Sequence, residues 1–251
     1  MAVVRVDGVA QVEDWEITSG LLTITPNAGA DRFLLGGTSG MHLFSSAPTV
    51  SDFKYGGSGG TSMSALGAQF GIDSVLSNMR GYYAVGGPSS ASDLYSLFTV
   101  QDPQRVQMSG LCYTGVDQAT PYSDYTVNNP TGTGSVTTLV ASVTVPNCVA
   151  GQTVCALVHG YLGGLDGTVP TAVAGTTLVA QALRTDAEQS MSAVAVLEKI
   201  AASNGPVTLE VNLNQTTAGT IAFGALGMRL NAAEAGPPPA ASYHLGSDLI
   251  F

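Results

Sequence analysis

The strongest constraint in this sequence is its punctuation. Short runs rich in Val, Leu, Ile, Thr, Tyr and Phe alternate with clusters of Gly, Pro, Asn, Asp and Ser along most of the chain. Runs of this kind, bounded by turn-forming residues, read as β-strands. Residues 21–25 stop at Pro26-Asn27, residues 50–55 at Gly56-Gly57, residues 81–85 at Gly86-Gly87-Pro88, and residues 139–145 at Pro146-Asn147. Residues 32–38, 94–100, 106–114, 154–161, 176–183, 207–213 and 220–230 complete the set. Within residues 106–114 the two-residue period of a strand places Val106, Met108, Gly110, Cys112 and Thr114 on one face. Roughly a dozen such runs at even spacing predict an all-β chain, an antiparallel β-sandwich of jelly-roll-like type.

One segment has two readings. Thr185-Asp186-Ala187-Glu188 has the form of a helix capping box, and Met191, Val194, Leu197 and Ala201 follow at near-helical spacing. Alternatively Val194, Val196 and Ile200 share a strand face, with Asn204-Gly205 as a hairpin turn into residues 207–213. The all-β setting favours the strand.

Charge narrows the function classes. Only 10% of the 251 residues are charged, with 8 basic against 18 acidic and a net charge of −10. Neutralising phosphates requires clustered Lys and Arg, so nucleic acid is not an expected partner. With 45% hydrophobic residues the chain can fill a core. Asp7, Glu13, Asp14 and Glu16 interrupt the opening residues, so no secretory signal is expected, and no apolar stretch is long enough for a spanning helix or membrane insertion.

No catalytic constellation emerges, so the expected catalytic, cofactor-binding and metal residues are none. Residues 56–60 match G-x-S-x-G, but that motif needs a strand, an elbow and then a helix, whereas its flanks here are Gly, Ser and Thr. His42, His159 and His244 have no local Cys, His or carboxylate partner at metal spacing. Cys112, Cys148 and Cys155 are odd in number and read as small buried hydrophobes. Tyr122 and Tyr125, in what reads as a loop after Pro121, are the best candidates for stacking on a sugar.

The chain divides into an N-terminal segment (1–20), a sandwich domain (21–231), and a Pro-rich linker with a C-terminal tail (232–251). Pro237-Pro238-Pro239 favours an extended spacer. Beyond it Tyr243, His244, Leu245, Leu249, Ile250 and Phe251 form a more apolar segment than a solvated tail requires. Two placements follow: docking on a partner or neighbouring subunit, or folding back onto its own sandwich.

Several strings resemble β-sandwich modules of bacteriophage virion and tail proteins and of bacterial surface proteins. Residues 24–35 are similar to their strand–turn–strand opening, Phe53-Lys54-Tyr55-Gly56-Gly57 to a glycine-pair turn, and Tyr113-Thr114-Gly115-Val116-Asp117-Gln118-Ala119-Thr120-Pro121 to a strand leaving its sheet. The resemblance covers about residues 20–231 and implies fold more than function, because one fold hosts many functions. With it, the expectation is a non-enzymatic virion structural protein, a capsid decoration, fibre or tail component. Such a protein is made in the host cytoplasm and assembles with other virion proteins and copies of itself. The alternative is a carbohydrate-binding or adhesin module contacting a host surface glycan.

Overall fold

A computed structural model of the chain describes residues 2–14, 19–26, 29–42, 48–73, 77–99, 105–129, 133–163, 167–186 and 189–234. In chain order the first half holds β1 (Val4–Asp14), β2 (Ser19–Ile24), β3 (Phe33–Met41), β4 (Thr49–Tyr55), β5 (Thr61–Ser62), β6 (Ser64–Asp73), β7 (Ser77–Val85), β8 (Ser92–Thr99) and β9 (Arg105–Thr114). The second half holds β10 (Tyr122–Asn128), β11 (Thr133–Cys148), β12 (Thr153–Leu162), β13 (Gly167–Ala172), β14 (Thr177–Asp186), β15 (Gln189–Ile200) and β16 (Gly205–Leu230). Every pairing between them is antiparallel. The chain is an all-β antiparallel sandwich.

The strands stack as four layers. The first is β2-β8-β4-β5 and the second β1-β9-β3-β7-β6. The third is β10-β16-β12-β15-β14, with β11 and β13 also paired to β16. β16 serves two layers: residues 221–229 pair with β12, whereas residues 207–213 pair with β11 in a fourth layer. Three cores lie between the layers. Ile24, Phe53, Leu94 and Phe98 meet Leu34, Tyr82 and Met108 in one. Phe33, Leu35, Leu111 and Tyr113 meet Leu157, Val196, Leu226 and Met228 in the second. Val154, Ala156 and Phe223 meet Val143, Leu209 and Leu213 in the third. Each half of the chain thus makes its own two-layer sandwich, and the second core joins the two.

This stacking explains why the inner strands are apolar or small on both faces. β3 is buried at every residue and β12 at nearly every one, as expected for a sheet covered on both sides. It also explains glycine inside strands. A Cβ at Gly36 would lie 2.3 Å from Phe53 Cε1, and one at Gly81 would lie 2.5 Å from Leu226 Cδ1. These glycines are the holes into which the adjoining layer inserts its large side chains.

Three sequence expectations change. Residues 4–14 pair with β9 as β1, so the body begins well before residue 21. Residues 189–200 are a strand, but Asn204-Gly205 does not make a hairpin. β15 already has β12 and β14 on its two edges, so the chain arches into the next layer, where residues 207–213 pair with β11. Residues 205–230 form one strand where two runs were read. The expected tail residues Tyr243, His244, Leu245, Leu249, Ile250 and Phe251 lie outside the described residues.

Candidate functional sites

The most polar feature of the interior is a hydrogen-bonded chain in the second core. His159 on β12 is fully buried. Its Nδ1 lies 2.8 Å from Ser39 Oγ and its Nε2 lies 2.8 Å from Ser109 Oγ. Ser39 Oγ donates to Gln107 Oε1 at 3.1 Å, and Gln107 Nε2 donates to the Gly160 carbonyl at 2.9 Å. With the Ser39 proton committed to Gln107, His159 Nδ1–H donates to Ser39 and Nε2 accepts from Ser109, so the ring is neutral with its proton on Nδ1. Burial pushes the His159 pKa down to about 3. Sequence reading placed His159 as a strand side chain; the structure keeps it there and adds its partners. A serine–histidine contact sealed between two sheets has no room for a substrate, and its work is to align β3, β9 and β12.

The G-x-S-x-G match is a turn. Gly56 and Gly57 have φ of +89° and +76° and donate to the Asp93 carbonyl at 2.9 and 3.1 Å. The segment leads into β5, a strand, where a nucleophile elbow needs a helix. All three cysteines are free and buried. Burial raises the thiol of Cys112 to about 11 and that of Cys155 to about 12. Among the described residues no group of three or more His, Cys, Asp or Glu side chains is placed to hold a metal ion.

A more promising site forms just beyond the end of β16. The Gly115–Pro121 string clamps the end of β16. Asp117 caps its own turn, accepting from the backbone N–H groups of Ala119 at 2.8 Å and Thr120 at 3.2 Å. These bonds, and a third from the Thr120 hydroxyl, hold the Asp117 carboxyl below the usual range. Val116 and Ala232 form an antiparallel bridge. Asp117 N–H donates to the Asn231 carbonyl at 2.9 Å, and Ala233 N–H to that of Gly115 at 2.8 Å. Asn231 is the hub: its amide donates to the Thr120 carbonyl at 2.7 Å, and its Oδ1 accepts from Ser123 Oγ at 2.7 Å and Gln152 Nε2 at 3.4 Å. Sequence reading missed Asn231, a lone asparagine after a strand with nothing nearby to flag it.

Beside this junction lies a cavity of about 530 Å³, lined by Val3, Val149, Gln152, Ile200, Leu230 and Ala232 among others, with no charged side chain in its lining. Val149 is 55% exposed and Ile200 53%. The volume lies within the roughly 300–1,000 Å³ typical of ligand pockets.

The second candidate is an aromatic strip. Tyr122 and Tyr125 are on a strand, β10, and not in the loop that Pro121 led us to expect. Three residues apart on a regular strand they would face opposite ways. A register shift between them turns both to one side, and their rings meet edge to face at 6.2 Å. Tyr122 also meets Tyr83 at 5.2 Å, and Tyr83 stacks on buried Phe33 at 6.0 Å. The strip therefore runs from the core to Tyr125, which is 40% exposed. Burial raises the Tyr122 phenol above its ordinary pKa.

The chain matches no family model and no curated protein. The site geometry therefore stands on its own.

Proposed function

We propose that this chain is a non-enzymatic bacteriophage virion structural protein, a capsid decoration, fibre or tail component, that works by packing against copies of itself and other virion proteins. One observation carries the reading. Among the described residues, exposed apolar side chains sit on strands that pair on one side only: Val4 on β1, Leu21 on β2, Tyr125 and Val127 on β10, Val140 on β11 and Val169 on β13. Soluble monomers protect such edges with lysine, proline or bulges, because an open edge recruits another strand. Here β1, β10, β11 and β13 carry register shifts, and β11 and β13 hold Pro146 and Pro170, but the two lysines of the chain lie on other strands. Lys54 on β4 reaches Asp52 at 3.5 Å, and Lys199 on β15 donates to the Thr208 carbonyl at 3.2 Å. The described part of β11 has no charged residue along its sixteen positions. Edges of this composition suit lateral contact, while a net charge of −10 keeps free subunits apart before assembly.

The test is sedimentation and electron microscopy of the purified chain. Association that grows with concentration, and weakens in Val140→Lys and Val127→Lys, supports the proposal. A monomer at every concentration overturns it.

The aromatic strip supports a second reading, a module that binds a surface glycan through Tyr122 and Tyr125. Binding to host polysaccharide that falls at least tenfold in Tyr125→Ala, with the fold intact, would favour this reading over the first.

A further inference from the structure

The cavity at the tail junction is built to receive something apolar. Val149 and Ile200 are over half exposed on its margin, and Val3, Leu230 and Ala232 extend the apolar lining. Its nearest polar groups are already engaged. Gln152 Nε2 donates to the Leu230 carbonyl at 3.1 Å, its Oε1 accepts from Val149 N–H at 3.1 Å, and its backbone carbonyl accepts from Ala201 N–H at 2.9 Å. Apolar side chains seated there would cover the Val149 and Ile200 surface that water now touches.

The chain itself carries a matching segment. The described residues end at Glu234 on the margin of this cavity, with Ala232 in the lining and fixed by its bridge to Val116. Eight residues lie between Glu234 and Tyr243, after which Leu245, Leu249, Ile250 and Phe251 follow with Asp248 as the one acid. Within those eight stand Pro237-Pro238-Pro239. Consecutive prolines favour an extended chain of about 3.1 Å per residue and supply no N–H to close a turn. Fully extended, the nine steps from Glu234 to Tyr243 would span about 28 Å, a length sufficient to reach a neighbouring copy.

Resting on the assembly reading above, we propose that residues 243–251 of one copy occupy the Val149–Ile200–Leu230 cavity of a second copy. The exchange is head to tail: each copy offers one segment and one cavity, so the contact propagates into a ring or an open array. It links bodies that also meet along their strand edges, and neither contact needs the other's residues.

Cysteine cross-linking of the full chain tests this, because all three native cysteines are buried. Ile200→Cys and Phe251→Cys chains are mixed and oxidised with diamide. A covalent dimer at least tenfold more abundant in the mixture than in either variant alone is the expected result. Comparable dimer from either variant alone, no dimer in the mixture, or a link formed within single chains of the double variant overturns the proposal. Leu249→Asp/Phe251→Asp, whose changes lie outside the described body, separates the two levels. If this chain still associates while the cross-link fails, edge-based assembly survives and the segment exchange does not. If wild type never associates, both fall.

Discussion

His159 Nε2 accepts a hydrogen bond from Ser109 Oγ at 2.8 Å across the join between the two halves of the molecule. The first half supplies Ser39, Gln107 and Ser109; the second supplies the imidazole and the Gly160 carbonyl. A polar chain satisfied at every link inside an apolar interface fixes alignment, since a shift of one residue would leave a serine and a ring nitrogen buried without partners.

This arrangement makes stability depend on pH. The folded His159 has a pKa of about 3 against an ordinary 6.5, so between these values the unfolded chain binds a proton that the folded one refuses. Its contribution is complete above about pH 6.5 and declines as the pH falls toward 3. Linkage gives a loss on the order of 2 kcal/mol from this residue between pH 7 and pH 5. Urea unfolding at the two pH values should show the loss, and His159→Gln, which does not titrate, should flatten the slope. An equal slope in both proteins would remove His159 as its cause.

Gly36→Ala should destabilise the first core. Its new Cβ would lie 2.3 Å from the Phe53 ring, and overpacking of this kind costs about 1–3 kcal/mol. Phe53→Leu in the same chain should recover part of that loss, so the two changes will not add. Thermal melts of the single and double variants measure the coupling, and simple additivity would show that the ring is not the obstacle.

Thiol labelling at pH 8 should be slow until the protein unfolds. With thiols at about 11 for Cys112 and about 12 for Cys155, thiolate amounts to no more than about one part in a thousand. Denaturant should release both thiols together with the loss of sheet signal. Rapid reaction of either in the native protein would place it nearer the surface than the core position described.

Asn231→Ala removes the hub of the tail junction. Its side-chain bonds to Thr120, Ser123 and Gln152 together amount to about 1–3 kcal/mol of local stability. Hydrogen exchange at the Ala233 and Asp117 amides should accelerate by about tenfold or more, with little change at Leu157 in the core. Uniform acceleration would mean that Asn231 supports the whole fold and not the junction.

Much of this fold was legible because turns are local. Gly56-Gly57 and Asp117 each do in the structure what their chemistry predicts, and Val106, Met108 and Cys112 share one buried face. Layering was not legible. Gln107 and Ser109 alternate with those apolar residues on the other face of β9, to which no role was assigned, and they are buried with His159, fifty residues away from Ser109 in sequence. Nothing near them in the chain announces that partner. The strand-long path of β16 was hidden for a similar reason: Thr216, Thr217, Ala218 and Gly219 look like a loop, and β11 and β12 hold the flanking stretches in place. The two tyrosines of β10 were singled out as glycan candidates in a loop, but they lie on a strand, and their common side depends on a register shift that no spacing rule reveals.

The division into consecutive halves has a bearing on biosynthesis. Residues 4–114 can close the first core while the ribosome is still making the rest, because Ile24, Phe53 and Leu94 meet Leu34 and Met108 without help from later strands. Until residues 122–230 emerge, the opposite side of that newborn sandwich, with Phe33, Leu35 and Leu111, has nothing to cover it. At high expression this interval is when the polypeptide is most prone to stick to its siblings.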